Sequence, residues 1–290
     1  MMTQRERLFA ALRGDPVDRV PVWLLFPYHR IGCYADVRAE PSYREVHERS
    51  LRQAITMNRR RMRVPLFAPE VTRRRETLEE DGWSVEREHI EWRDVHLFGE
   101  TRRRDGEVAI RKLLNSEEEL EAYCRLPVET DRGRLEAALE ENLPDYLRER
   151  EEFPAECGSM MLTLGEPIGP LYGAAELSEY PVWSITRDDL VVSMLDRFMR
   201  RLRIIYEFCL KRSLADTYFL IGSELAAPPM VSRQTFRRWI VPYARELIAM
   251  VRGAGAFAVQ HFHGQIREVL PDFLEMAPHA LHTIEAPPVG

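Results

Sequence analysis

Short apolar runs alternate along this chain with longer stretches in which apolar side chains recur every three or four residues. The apolar runs fall at 22–26, 62–67, 159–164, 217–221, 256–260 and 280–284, and each predicts a buried strand. Between them the spacing predicts helices. One runs from a cap at Thr3 to about Arg13, with Leu8, Ala11 and Leu12 on one side. Another opens at Pro41-Ser42 and continues to about Arg60, and a helical stretch from Asn115-Ser116 to about Arg150 is broken near Pro127 and Pro144. A long helix covers 186–212, with Leu190, Met194, Phe198, Leu202 and Ile205 in register, and further helices cover about 232–252 and the segment after Gly264. Six strands alternating with helices predict a parallel α/β fold. Residues 71–115 depart from it. Their short alternating runs, separated by Gly and charged turns, predict a small antiparallel excursion within a single domain spanning 1–290.

Composition narrows the picture. The net charge of -6 gives no general case for nucleic-acid binding. The arginine runs 59–61, 73–75 and 102–104 read first as solvated faces balanced by glutamates, and second as an anion-binding surface. Cys33, Cys124, Cys157 and Cys209 are scattered with no C-x-x-C pair, which excludes a self-contained cysteine zinc site and a disulfide framework, and predicts a cytoplasmic setting. The charged opening MMTQRERLFAALRG is no signal peptide, and no run approaches the ~20 apolar residues of a membrane helix.

Candidate chemistry collects after the predicted strands: His29 and Arg30 after the first, then Glu70, Glu166, Glu224, the pair His261 and His263, and Glu285. Helix starts favour polar residues in any case, so part of this clustering is structural. The H-x-H run before Gly264 is more specific. Side chains two apart in a strand share a face, so both imidazoles are expected side by side, with Phe262 opposite and Glu285 delivered by the next strand. Two imidazoles and a carboxylate are ligands of the kind zinc uses. No GxGxxG, GxxxxGK[ST] or GxSxG motif points to dinucleotide, phosphate-loop or hydrolase-elbow chemistry.

Two segments carry a family resemblance. The opening RERLFAALRGDPVDRVPVW and the block GSELAAPPMVSRQTFRRWIVPYARELIAMVRGAGAFAVQHFHG resemble the uroporphyrinogen decarboxylase superfamily. The resemblance implies a (β/α)8 barrel of the TIM type. One branch of that superfamily decarboxylates uroporphyrinogen without metal or cofactor, using paired arginines after the first strand and an aspartate after the second. Here Phe26 stands at the first arginine position, Arg30 at the second, and FAPE with Glu70 ends the second run. The other branch transfers methyl groups, with zinc held by His-x-Cys, a Glu on the next strand and a later Cys. His261 and Glu285 match, and His263 stands where the Cys would be. A histidine there still ligates zinc but changes the charge and softness of the site.

The resemblance to the second branch implies metal-dependent methyl transfer on a small substrate, linked to a thiol or a corrinoid protein as partner. Zinc would sit on His261, His263 and Glu285. Glu224, Glu166 and Arg30 would be catalytic, and His29, Arg30, Glu70 and Glu224 would line the substrate site. The alternative is a metal-free decarboxylase anchored by Arg30. A third reading is a non-catalytic, ligand-binding barrel, with a homodimer as one form. Six strands against the family's eight predict that this chain is a truncated barrel lacking its last βα units.

Overall fold

The computed structural model describes residues 2–32 and 36–286, so Cys33 lies outside the described residues. Helix α1 (Gln4–Arg13) begins at the expected cap: Thr3 and Glu6 exchange reciprocal capping hydrogen bonds, and Gly14 closes the other end in a left-handed conformation. Next come α2 (Arg44–Gln53), β1 (Thr56–Arg61), the hairpin strands β2 (Thr72–Glu80), β3 (Trp83–Trp92), β4 (Val95–Arg104) and β5 (Glu107–Arg111), α3 (Glu117–Arg125) and α4 (Arg132–Glu152). The second half holds β6 (Gly158–Thr163), α5 (Ile168–Ala174), α6 (Tyr180–Thr186), α7 (Asp188–Lys211), β7 (Thr217–Leu220), α8 (Arg233–Trp239), α9 (Val241–Gly253), β8 (Phe257–His261), α10 (Leu270–Met276) and β9 (Ala280–His282).

Five strands form one parallel sheet in the order β1-β6-β7-β8-β9, so each lies beside the preceding strand of that sheet. The excursion at 71–115 is an antiparallel four-stranded sheet, as expected. The parallel strands alternate strictly. Met160, Leu162, Tyr218, Leu220 and Ala258 join α4, α7, α9 and α10 in the main core. Met57, Met161, Phe219 and Val259 face the other way into a smaller apolar cluster with Leu8 of α1. Helix α1 lies under this face: Phe9 stacks on Phe257, while Arg5 donates to the Gly158 carbonyl and to Asp216.

The sheet is curved. Trp23 pairs with Ile55 in a parallel bridge before β1, yet its ring lies 4.7 Å from that of His282 on β9. Five flat strand spacings would separate those positions by about 24 Å, so only a curled sheet lets the two rings meet.

Four sequence expectations need correction. The first strand, 22–26, is reduced to the Trp23–Ile55 bridge. The helix expected to reach Arg60 ends at Gln53, and the second strand is β1 instead of 62–67. TMNRRR hides this strand because its outward positions are polar; Asn58 and Arg60 are buried against His29 and Glu149, so tertiary partners override the pattern. The segment expected as a strand instead bridges antiparallel through Phe67 to Val128. Finally, Pro144 does not break α4; it lies inside the helix on an exposed face.

Candidate functional site

Above the apolar floor of the concave face, the next layer is polar. Arg59 of β1, Thr163 of β6, His261 of β8 and His282 of β9 point the same way, two positions past Met57, Met161, Val259 and Ala280 respectively. The layer sits at the C-terminal ends of the strands. Arg59 Nε donates to Thr163 Oγ1 at 3.1 Å, and its guanidinium stands 5.3 Å from the Phe219 ring centroid.

His261 and His282 occupy paired positions and meet through their Nδ1 atoms at 2.9 Å. His263 lies two residues beyond the end of β8, and it does not stand parallel to His261 as strand geometry predicts. The two rings meet edge-to-face, with centroids 4.5 Å apart. Phe262 points into the main core, as expected. Glu285 closes the group: Oε1 lies 2.9 Å from His263 Nδ1, and Oε2 accepts from the Gly264 amide at 2.7 Å. The three residues singled out from the sequence are therefore brought together, with His282 as a fourth member.

Electrostatics follow from this crowding. Burial, then the neighbouring His263, His282 and Arg59, push His261 down to about 4, and burial lowers His282 as well. Both rings are neutral near pH 7. The Gly264 amide, then His263, hold Glu285 below the usual carboxylate range.

Glu166 and Glu224 form a second group behind this rim. Both Glu166 oxygens lie 3.0 Å from Ser223 Oγ, which accepts from Gln260 Nε2 at 2.7 Å. The network ties the ends of β6, β7 and β8 together. Glu166 is only 3% exposed. Burial and the nearby Glu224 push it up to about 8, so it is protonated at neutral pH. Burial also raises Glu224, which feels the charge of His263 and thereby links the two groups.

The remaining candidates lie elsewhere. His29 is buried on the helix side of β1, between Asn58 and Glu152 of α4. The Arg30 carbonyl accepts from Arg60 on that same side. Glu70 is exposed past a segment that is not a strand, and its charge acts on Arg134 at the start of α4. None of these three has a described contact with the histidine rim. Sequence reasoning did not single out Arg59, which fell in a run read partly as helix and, by its charge, first as a solvated face and second as an anion-binding surface. It also missed His282, although the alternation of β9 places that residue on the same face as Ala280.

The donors suit zinc in kind, being imidazoles beside a carboxylate. As placed they satisfy one another in pairs, and among the described residues no three His, Cys, Asp or Glu side chains converge as a ready metal shell. Cys124, Cys157 and Cys209 are buried free thiols raised by burial, Cys124 to about 11 and Cys209 to about 12. No helix among the described residues is long and apolar enough to cross a membrane.

No family model matches the chain, and neither a curated protein nor a solved structure matches it.

Proposed function

We propose that the β8–β9 rim is the active site of a metal-dependent enzyme, built on a (β/α) barrel frame, that transfers a methyl group to or from a small substrate. One observation carries this reading: three imidazoles and a carboxylate stand in mutual contact at the C-terminal ends of neighbouring parallel strands, where barrel enzymes place their sites. Chain-order strands and the Trp23–His282 contact support the barrel frame.

Zinc would be held by His261, His263 and Glu285, with His282 beside them, once the paired side chains turn from each other. A bound zinc ion supplies a Lewis acid that polarises a substrate or activates a nucleophile. The chain's own residues do the rest. Glu285 fixes the His263 ring through Nδ1. Glu224, with its raised proton affinity beside that ring, holds or delivers a proton at its carboxylate. Glu166, neutral and buried, positions Ser223 and with it the backbone that carries Glu224. A corrinoid protein as partner and a cytoplasmic setting belong to the same reading.

The pairwise satisfaction of the imidazoles favours one rival, a metal-free decarboxylase acting on a carboxylate. Assaying the full chain for methyl transfer from methylcobalamin to a thiol, and separately for uroporphyrinogen consumption, decides between them. Zinc-dependent methyl transfer that is lost in His261→Ala supports the first reading. Chelator-resistant decarboxylation overturns it.

A further inference from the structure

The geometry points to a second copy of this chain as the occupant of the free edge of β5, added as an antiparallel strand about a two-fold axis at Ala109. The inference is independent of the reading of the β8–β9 rim as an active site.

Strand β5 ends the antiparallel sheet, and among the described residues β4 is the one strand that pairs with it. An edge strand exposes unpaired backbone groups, and proteins commonly blunt such edges with charge. The opposite edge of this sheet is blunted: β2 reads TRRRETLEE. Strand β5 reads EVAIR, and Val108 and Ile110 are each 57% exposed. The β4–β5 turn fixes which groups face outward. Asp105 and Gly106 both have positive φ, as a type I′ hairpin turn requires. Arg104 and Glu107 then form the hydrogen-bonded pair that closes the turn, and bonded pairs alternate from there. Glu107, Ala109 and Arg111 therefore direct N–H and C=O to β4, while Val108 and Ile110 direct theirs to the free edge. No backbone hydrogen bond outside the β4 ladder is described for Val108 or Ile110.

This edge is complementary to itself. Set antiparallel about Ala109, Val108 of one copy lies opposite Ile110 of the other, and their outward groups meet in about four main-chain hydrogen bonds. The apolar side chains of these pairs share one face and cover one another. On the other face Glu107 lies opposite Arg111, a match of charge. The ion pair of Glu107 with Arg104 is long at 3.5 Å, whereas Arg111 also bonds Glu119, so the cross-copy pair sets register more than affinity. Moving the register by one bonded pair sets Ile110 against Gly106 of the turn, or Val108 against Lys112, and loses the charge match. The interface is isologous and closed, so it stops at two copies. It is small beside the ~1,600 Å² of a standard interface, so dissociation at micromolar concentration is expected.

The test is sedimentation of the full chain at concentrations from about 1 to 200 μM. A reversible monomer–dimer equilibrium is expected, weakened about tenfold or more in Val108→Lys and unchanged in Thr77→Lys on the β2 edge. Register is read separately by mild oxidation of Ala109→Cys. Positions directly opposite in a non-bonded pair lie close enough for a disulfide, so this variant should cross-link between copies, faster than Val108→Cys and unlike wild type. Should Val108→Lys not fold, the cross-linking comparison carries the test. A monomer throughout, a dimer equally strong in folded Val108→Lys, or cross-linking of Ala109→Cys no faster than of Val108→Cys overturns the inference.

Discussion

His261 and His282 face each other through Nδ1 atoms 2.9 Å apart, from paired positions on adjacent parallel strands. A contact between two imidazole nitrogens holds a single proton, so one ring donates and the other accepts. Protonating both would break the contact and add charge beside His263 and Arg59, which already oppose it.

An acid sensitivity follows. The folded state holds His261 at about 4 against an ordinary 6.5, so its contribution to stability is full above pH 6.5 and is lost as pH falls through about 4. Allowing for partial solvent exposure, that contribution is about 1–2 kcal/mol. Urea unfolding of metal-free protein should show stability falling between pH 6.5 and 4, and His261→Asn should flatten that slope. An unchanged slope in the variant contradicts the pairing.

Glu166 acts in the opposite direction. Its folded value of about 8 exceeds the ordinary 4.5. Stability from this group is therefore complete below pH 4.5 and lost as pH rises through about 8. Glu166→Gln keeps the shape and removes the titration, so the variant should be more stable than wild type at pH 8.5 by about 1–3 kcal/mol, with little difference at pH 4.5. Equal pH dependence in the two proteins would show that Glu166 is already ionised in the folded state.

Gly222 marks the tightest approach behind the rim. A Cβ there would lie 2.7 Å from Glu166 Cβ and 3.0 Å from Ile168 Cγ2, at a backbone φ of +150°. Neither neighbour is the free end of a flexible side chain. Gly222→Ala should cost about 1–3 kcal/mol and displace the turn bearing Ser223 and Glu224. Thermal unfolding reads the first effect, and turnover of the folded variant at permissive temperature reads the second. A neutral substitution on both counts would mean that this turn does not position the site.

Much of this arrangement is visible in the sequence because it is local. Alternating runs reveal four of the five parallel strands and the antiparallel excursion, and the spacing of His261, His263 and Glu285 brings together residues that do meet. What the sequence hides depends on distant partners. TMNRRR carries no apolar alternation, since its outward positions are satisfied by His29 and by Glu149 of α4; without that knowledge β1 reads as helix, and Arg59 disappears into a charged run. The same error places Glu70 at a strand end. His282 escapes notice because a lone histidine in a three-residue strand gives no periodic signal, and its role emerges only through its pairing with His261.

The most direct test of the central claim is zinc-edge X-ray absorption on the purified full chain, with zinc content measured on the same sample. Stoichiometric zinc is expected, in a shell of nitrogen and oxygen at about 2.0–2.1 Å without sulfur at about 2.3 Å, and lost in His261→Ala and His263→Ala. Absence of stoichiometric zinc, or a sulfur-containing shell that persists in both variants, contradicts the assignment of this rim as the metal centre.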